Sequence, residues 1–532
     1  MLNQKLQKII LVIFTIIFFS VSSWFIITSP NIFNSPDETA NNFFIHKFAL
    51  QGDFLVFEPL NNFLENQVRP RSISFNGVSL VPQGFIGLPL IYGFLAKIIG
   101  INIIYFLTPL FAVLGVLAFY GAIKKIWDDN IAFISSILLF SFPIFLYYSA
   151  RSLYPNVPFV SMLLIAFWSL VNNAFTKTGK IRYLVIFTIS LGMALAFRPV
   201  EFLWIAPIFF INLFIYRKVI DFKKIIYFII LICFISLPFL YNNLVLYGGL
   251  FATGYTLSGP VITTTNATLG IDGAIQKSIL LLYGFHPRVI FNNFINIIIK
   301  YFWWYMLPAI FGFFIWLKEK KEKQQIVFVL SSLLISLWLL FFYGSGVFVD
   351  NPNIGRLTIG DSHFRYWLPI FILILPFVAI CLRFIIKYLA ILRYKKILLF
   401  IFLSFIFSLS IYSTFFSLDD GLYYVRENLK NNYFAKAEIL KYTDDEDIII
   451  TTRQDKIIFP SRAVLYLEDI KNLDMLKLLH NVNNRNFYYF TIGIKNDEFN
   501  NINNILASQG FKLERVLIIG KEVLYKLNEI FI

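Results

Sequence analysis

Long apolar runs recur along the first 416 residues, each closed by a short polar turn before the next begins. About twenty apolar residues cross a hydrocarbon core of roughly 30 Å as a helix. Runs of that order fall near 9–28, 101–123, 131–149, 157–174, 182–197, 199–216, 225–245, 301–317, 326–346, 364–385 and 397–416. A twelfth, GFIGLPLIYGFLAKII at 84–99, is weaker and carries Gly87, Pro89 and Gly93 as breakers. Past about residue 416 the pattern changes. Short apolar runs, DIIITT at 447–452, FYYFTIG at 487–493 and RVLIIG at 515–520, alternate with helix-like stretches near 423–442, 468–480 and 496–509. Strands alternating with helices predict a small α/β domain.

Basic residues cluster between the apolar runs, at Lys5/Lys8, Lys124/Lys125, Lys177/Lys180/Arg182, Arg217/Lys218/Lys223/Lys224, Lys318/Lys320/Lys321/Lys323 and Arg383/Lys387/Arg393/Lys395/Lys396. If basic loops stay cytoplasmic, an even number of crossings separates each cluster from the next. Two runs separate every pair from Lys124 onward, and the first interval obeys the rule only if 84–99 does not cross. That stretch therefore reads as an interfacial or re-entrant helix on the outer side. The expected fold is an all-α polytopic membrane protein with about eleven spanning helices and a small C-terminal extracytoplasmic α/β domain. Residues 1–416 form the membrane module, with outer loops at 29–100 and 246–300, and 417–532 form the soluble domain. The N-terminus is expected in the cytoplasm of a multi-pass protein of the cell membrane. Nearly all the unusual polar residues then fall on the outer face, and chemistry is expected there. The tail has no Gly-rich phosphate loop and no metal-ligand spacing, so no catalytic role is assigned to it.

Composition supports a membrane class. Of 532 residues, 58% are hydrophobic and 14% charged, against roughly a quarter charged in soluble domains. The net charge of +15 lies in the turns between apolar runs, as topology determinants do, so nucleic acid is not an expected partner. Cys233 and Cys381 both sit inside apolar runs and imply no disulfide framework. The first run, behind Lys5 and Lys8, is too long for a signal-peptide core and reads as a retained anchor helix.

Asn34-Ser35-Pro36-Asp37-Glu38-Thr39, just past the first run, places two adjacent carboxylates near the membrane surface. One reading is a helix start, with Ser35 or Asp37 as cap and acidic groups favoured by the helix dipole. The other is a reaction centre. The same loop offers His46, Asp53, Glu58, Glu65, Arg69 and Arg71. The next outer turn, SARSLYPNVP, carries Arg151, Tyr154 and Asn156, and FRPVE carries Arg198 and Glu201. GFHPR holds His286 and Arg288, and DNPNIGRLTIGDSHFRYWLP holds Asp350, Arg356, Asp361, His363, Arg365 and Tyr366. Each has a plain alternative: the arginines anchor helix ends by snorkelling, the histidines hydrogen-bond at the interface, and Glu201 complements a helix dipole. Two histidines without partners at ligand spacing make no zinc site. Asn266-Ala267-Thr268 is a sequon on the outer side.

Arginines at three outer helix junctions, with a carboxylate pair on the first loop, suit a phosphorylated lipid. Moving a sugar from a polyprenyl phosphate requires a base for the acceptor hydroxyl's proton. It also requires fixed cations for the leaving phosphate, which arginine's planar fork binds in pairs.

On these residues the chain resembles the GT-C superfamily of integral-membrane glycosyltransferases. It is most similar to the branch with protein O-mannosyltransferases and lipid A aminoarabinose transferases (the glycosyltransferase 39/83-like, dolichyl-phosphate-mannose transferase group). The resemblance rests on Pro36-Asp37-Glu38 in a long first outer loop, on VPQGFIGLPLIYGFLAKIIG after it, and on Arg365-Tyr366-Trp367-Leu368-Pro369 entering a late helix. It implies that Asp37 is the catalytic carboxylate, as base or as ligand to a divalent ion such as Mg2+ or Mn2+, with Glu38 in support. It implies lipid-phosphate contacts at Arg198 and Arg365, and Arg151 joins them as a third cation. Arg69, Tyr154, Asn156, His286, Arg288, Asp361, His363 and Tyr366 complete the candidate substrate site. Two departures stand out. Asn156 occupies a turn where many relatives carry an acid, and Val81-Pro82-Gln83-Gly84 replaces a His-Pro-Pro run.

The expected activity is inverting transfer of one monosaccharide to a hydroxyl of a protein, lipid or glycan on the outer face. Two alternatives stay open. One is a transporter or flippase of lipid-linked glycans, which would carry charges along a path inside its helices. The other is an O-antigen-ligase-like enzyme, for which His286-Pro287-Arg288 speaks.

Overall fold

The computed structural model describes residues 3–29, 31–257, 283–348, 350, 357–388, 395–480, 482 and 485–530. The Asn266 sequon and Arg356 lie outside the described residues. The chain divides into two compact units. The first comprises 1–27, 104–238 and 262–424, and the second 28–103, 239–261 and 425–532.

The first unit is a helix bundle. Among the described residues of the whole chain, five helices are long and apolar enough to cross a membrane: Gln4–Ile27, Ile101–Ile126, Phe222–Tyr247, Lys323–Gly344 and Leu368–Lys387. Three further spans are bent pairs, and counting each as one gives eight. The bends have proline causes in two cases. Pro143 opens Pro143–Ala150 after Asp129–Ser141 with a 52° turn, and Pro199 follows Ile181–Phe197 with a 119° turn. Pro287–Lys300 and Trp303–Lys318 meet at 93°. Helices approach closely through small residues, as membrane bundles do. A Cβ at Gly312 would lie 1.8 Å from the Phe377 carbonyl oxygen, so helix Trp303–Lys318 packs against Leu368–Tyr388 backbone to backbone. Arg383, expected only as a topology charge, bridges Asp128 at 2.8 Å and Glu319 at 3.2 Å.

The second unit gathers three distant stretches around shared cores. Its C-terminal part is a five-stranded mixed sheet. With β1 (Ile73–Phe75) and β2 (Leu80–Pro82) forming a separate hairpin, the sheet strands are β3 (Ile448–Thr451), β4 (Ala463–Tyr466), β5 (Phe487–Ile492), β6 (Phe511–Ile519) and β7 (Glu522–Glu529). Their order is β4-β3-β5-β7-β6, with β3 parallel to both neighbours and β7 antiparallel to both of its own. β4 and β7 are strands that the apolar pattern did not mark. Leu60, Leu64 and Val68 from the first loop are buried in the same core as Ile448, Leu465 and Leu476. The α/β sheet therefore shares its interior with the loop instead of closing on itself.

Helix Pro36–Gln51 follows Ser35, whose side chain accepts from the Asp37 N–H at 3.2 Å, and ends at Gly52 in the left-handed region, φ 82°. The stretch read as broken at 84–99 is one continuous helix, Gly87–Ile99. Pro89 falls in its first turn, where a missing N–H costs nothing. Gly93 is an approach point: a Cβ there would come within 2.9 Å of the Phe48 ring.

Candidate active site

In the first unit, Arg151 ends helix Pro143–Ala150 and is buried. Its Nη1 donates to Tyr147 Oη at 2.8 Å and its Nη2 to Tyr154 Oη at 3.1 Å. The guanidinium lies 5.0 Å from the centre of the Tyr154 ring. Arg365, from the short helix Ser362–Tyr366, sits 4.8 Å from the same ring and 5.3 Å from that of Tyr366. One tyrosine thus serves two guanidinium groups, held by cation–π attraction. Arg365 Nη2 donates to Ser362 Oγ at 2.8 Å, and Asp350 fixes that serine by accepting from its N–H at 2.7 Å and its hydroxyl at 3.1 Å. Asn156, at the start of helix Asn156–Val171, donates from Nδ2 to the Arg365 carbonyl at 3.2 Å. It ties the two arginine-bearing turns together.

Arg198 is placed differently. Its Nε donates to Glu201 Oε1 at 2.9 Å and its Nη2 to Tyr343 Oη at 2.8 Å, while Tyr343 donates to the same Glu201 oxygen at 2.7 Å. Trp204 Nε1 donates to the other oxygen at 2.6 Å. The pair is buried and internally neutralised, and the guanidinium stacks 4.8 Å from Tyr366. Tyr343 and Tyr366 stack in turn, 4.7 Å apart and 21° from parallel. Arg198, a candidate for the donor phosphate, thus lies against the same tyrosine ring as Arg365.

Asp361 caps helix Ser362–Tyr366, accepting from the His363 N–H and contacting His363 Nδ1, both at 2.9 Å. His363 is buried against Phe348 and Trp367, a packed hydrogen-bonder. His286 and Arg288 open helix Pro287–Asn293 and are exposed, outside this cluster of side chains. An apolar cavity of about 260 Å3 opens beside Trp204, lined by Val160, Phe167, Ile208, Ser331 and Leu373 among others.

The second unit holds Asp37, Glu38 and Arg69. Asp37 is half-buried in the first helical turn, and Ser72 Oγ donates to its Oδ1 at 2.6 Å. Glu38 beside it is buried. Ser72 adopts φ 62°, a left-handed backbone that costs a non-glycine residue roughly 1–2 kcal/mol. Arg71 next to it holds Asp455 through its own N–H at 2.8 Å, its Nε at 2.9 Å and its Nη2 at 2.6 Å. Arg69 donates to the Ile73 carbonyl at 2.9 Å, and burial pulls its pKa down, with Tyr466 acting in the opposite direction.

A family model described as dolichyl-phosphate-mannose-protein mannosyltransferase matches residues 86–241. ArnT from Cupriavidus metallidurans, solved with undecaprenyl phosphate, superposes with a TM-score of 0.58 over 98% of each chain, at 9% identity. The apo oligosaccharyltransferase of Archaeoglobus fulgidus superposes at 0.55, over 92% of this chain and 70% of that one, at 13% identity. The same organism's AglB, solved with an inhibitory peptide and dolichol-phosphate, superposes at 0.52 over 91% and 69%, at 12% identity. This chain has the GT-C fold. No curated protein sequence matches it.

The GT-C fold raises the question of a metal. Among the described residues no three His, Cys, Asp or Glu side chains come together as a ligand set. The Asn156 amide is engaged with the Arg365 carbonyl. The described side chains do not fit a three-ligand site. Sequence reasoning missed Tyr147, Tyr343, Ser72 and Asp455. Tyr343 and Tyr147 lie at the ends of apolar runs, where a tyrosine reads as an interfacial anchor, and Asp455 lies 384 residues from its partner Arg71.

Proposed function

We propose that the chain is a membrane glycosyltransferase that moves one sugar from a polyprenyl-phosphate-linked donor to a hydroxyl of a protein, lipid or glycan. The observation that carries this reading is the pair of guanidinium groups, Arg151 and Arg365, on Tyr154. Two cations fixed by aromatic rings and hydroxyls suit a phosphate that gains charge as it leaves, because no reorganisation is needed when the charge develops. The bound ligands of the solved structures, undecaprenyl phosphate and dolichol-phosphate, belong to the same chemical class. The apolar cavity beside Trp204 has the lining an isoprenoid chain would require.

In this mechanism the acceptor oxygen attacks the anomeric carbon as the bond from that carbon to the phosphate oxygen breaks. Polyprenyl phosphate departs with the electron pair, stabilised by Arg151 and Arg365. Asp37 accepts the acceptor's proton, and Glu38 supports it. Arg198, neutralised by Glu201, keeps Tyr366 stacked beside Arg365. A single displacement inverts the anomeric centre. The distribution of basic turns supports placing the reaction on the extracytoplasmic face, with the N-terminus in the cytoplasm. The exposed position of His286 and Arg288 weighs against a ligase centred on them.

The test supplies membranes containing the protein with a panel of labelled polyprenyl-phosphate monosaccharides, with and without a chelator. Label entering the protein, lipid or polysaccharide fraction supports the reading and names the acceptor. No incorporation from any donor overturns it in favour of transport.

A further inference from the structure

The C-terminal sheet domain was expected to have no part in catalysis. Five contacts inside the second unit speak otherwise. Asp455 is fully buried at the start of the short helix Asp455–Ile458, and its carboxylate takes three hydrogen bonds from Arg71. Arg71 also donates from Nη2 to the Arg453 carbonyl at 2.6 Å. The next residue, Ser72, is held in the left-handed backbone that aims its hydroxyl at Asp37 Oδ1, 2.6 Å away. Lys456, the neighbour of Asp455, donates to the Asn34 carbonyl at 2.7 Å, just before the serine that caps the Asp37 helix. Phe459 closes the same edge with its ring 4.8 Å from Phe43.

We infer that Asp455 of the C-terminal domain is a positioning residue for Asp37, acting through Arg71 and the hydroxyl of Ser72. This rests on the reading of Asp37 as the catalytic carboxylate. A carboxylate at a helix start can rotate about two bonds. A hydroxyl fixed by an ion pair to the buried Asp455 carboxylate holds Oδ1 and so sets the orientation of the whole group. The sheet domain thereby sets the aim of a group some 420 residues earlier in the chain. Arg71 bonds Asp455 through both its main-chain N–H and its side chain, so the clamp fixes the turn itself and not merely a surface arginine.

The test is amide hydrogen exchange on the full-length protein in detergent, with Ser72→Ala, Asp455→Asn and the double variant. Ser72→Ala removes only the hydroxyl. It is expected to speed exchange at Asp37 and Thr39 about tenfold and leave Arg71 protected. Asp455→Asn is expected to speed exchange at Arg71 and at the same helical turn, and to add less than twofold there when Ser72 is already Ala. On any donor from the panel that turns over, both single variants should lower kcat about tenfold or more with KM within twofold. Arg71→Lys, which keeps the charge but cannot reproduce the Nε contact, makes the same comparison if Asp455→Asn does not fold. Loosening of Arg71 without any change at Asp37, or full additivity of the two variants, would overturn the relay. Failure of the reading beneath it is separate: Asp37→Asn would then retain transfer whatever the exchange data show.

Discussion

Glu201 Oε1 lies 2.8 Å from Arg198 Nη2 across the Pro199 turn, with both side chains buried. Removing one member of such a pair strands a charge, at a cost of about 3–5 kcal/mol. Glu201→Gln is therefore expected to lower the unfolding temperature sharply in detergent, and Arg198→Met with Glu201→Gln to recover part of the loss. Equal unfolding temperatures for wild type and Glu201→Gln would refute the pairing as a stabilising contact.

Arg365 shares Tyr154 with Arg151 and stacks on Tyr366. Arg365→Ala is expected to weaken binding of polyprenyl phosphate at least tenfold, since a hydrogen bond to a charged group contributes about 1.5–3 kcal/mol. Arg365→Lys should not restore it, because the ammonium neither stacks nor forks. Titration of purified protein with undecaprenyl phosphate, followed by tryptophan fluorescence, measures both. Wild-type affinity in Arg365→Ala would remove this arginine from the phosphate site.

Gly312 touches the backbone of the facing helix, so even a methyl group must push the two helices apart. Gly312→Ala should destabilise the bundle by about 1–3 kcal/mol despite alanine's better helix propensity. A thermal melt at or above the wild-type value would show that this crossing relaxes freely.

Much of the bundle was legible because period and charge act locally. The apolar runs became helices within a few residues of the expected ends, and Ser35, one of the two caps that the local pattern offered, caps its helix. Of the sheet, β3, β5 and part of β6 were visible as apolar runs. β4 and β7 were not, because AVLY and EVLYKLNE are short or interleaved with charges that only pairing explains. Gly93 read as a breaker because a sequence does not show which neighbour needs the space. Glu201 read as a dipole complement, since nothing local reveals Tyr343, 142 residues away, as its second partner. The link from Asp455 to Arg71 spans 384 residues and carries no motif at either end.

Glu522 provides a pH test of the second unit. Burial raises its pKa from the ordinary value of 4.5, and Lys456 opposes that rise only in part. A carboxylate that protonates more easily folded than unfolded opposes folding once ionised, above its folded pKa. Stability should therefore rise as pH falls from neutral toward 4.5. Glu522→Gln should raise the unfolding temperature at pH 7 by about 2 °C and lose that advantage near pH 4.5. The same gain at both pH values would assign it to packing and not to charge.

The central claim concerns Asp37. The most direct measurement is transfer of labelled sugar by Asp37→Asn, in membranes holding equal amounts of folded variant and wild type, on the donor that the panel identifies. The account predicts a fall of at least about a hundredfold, because the amide cannot accept the acceptor's proton. Transfer at the wild-type rate would contradict it and leave Asp37 as a residue of the helix cap alone.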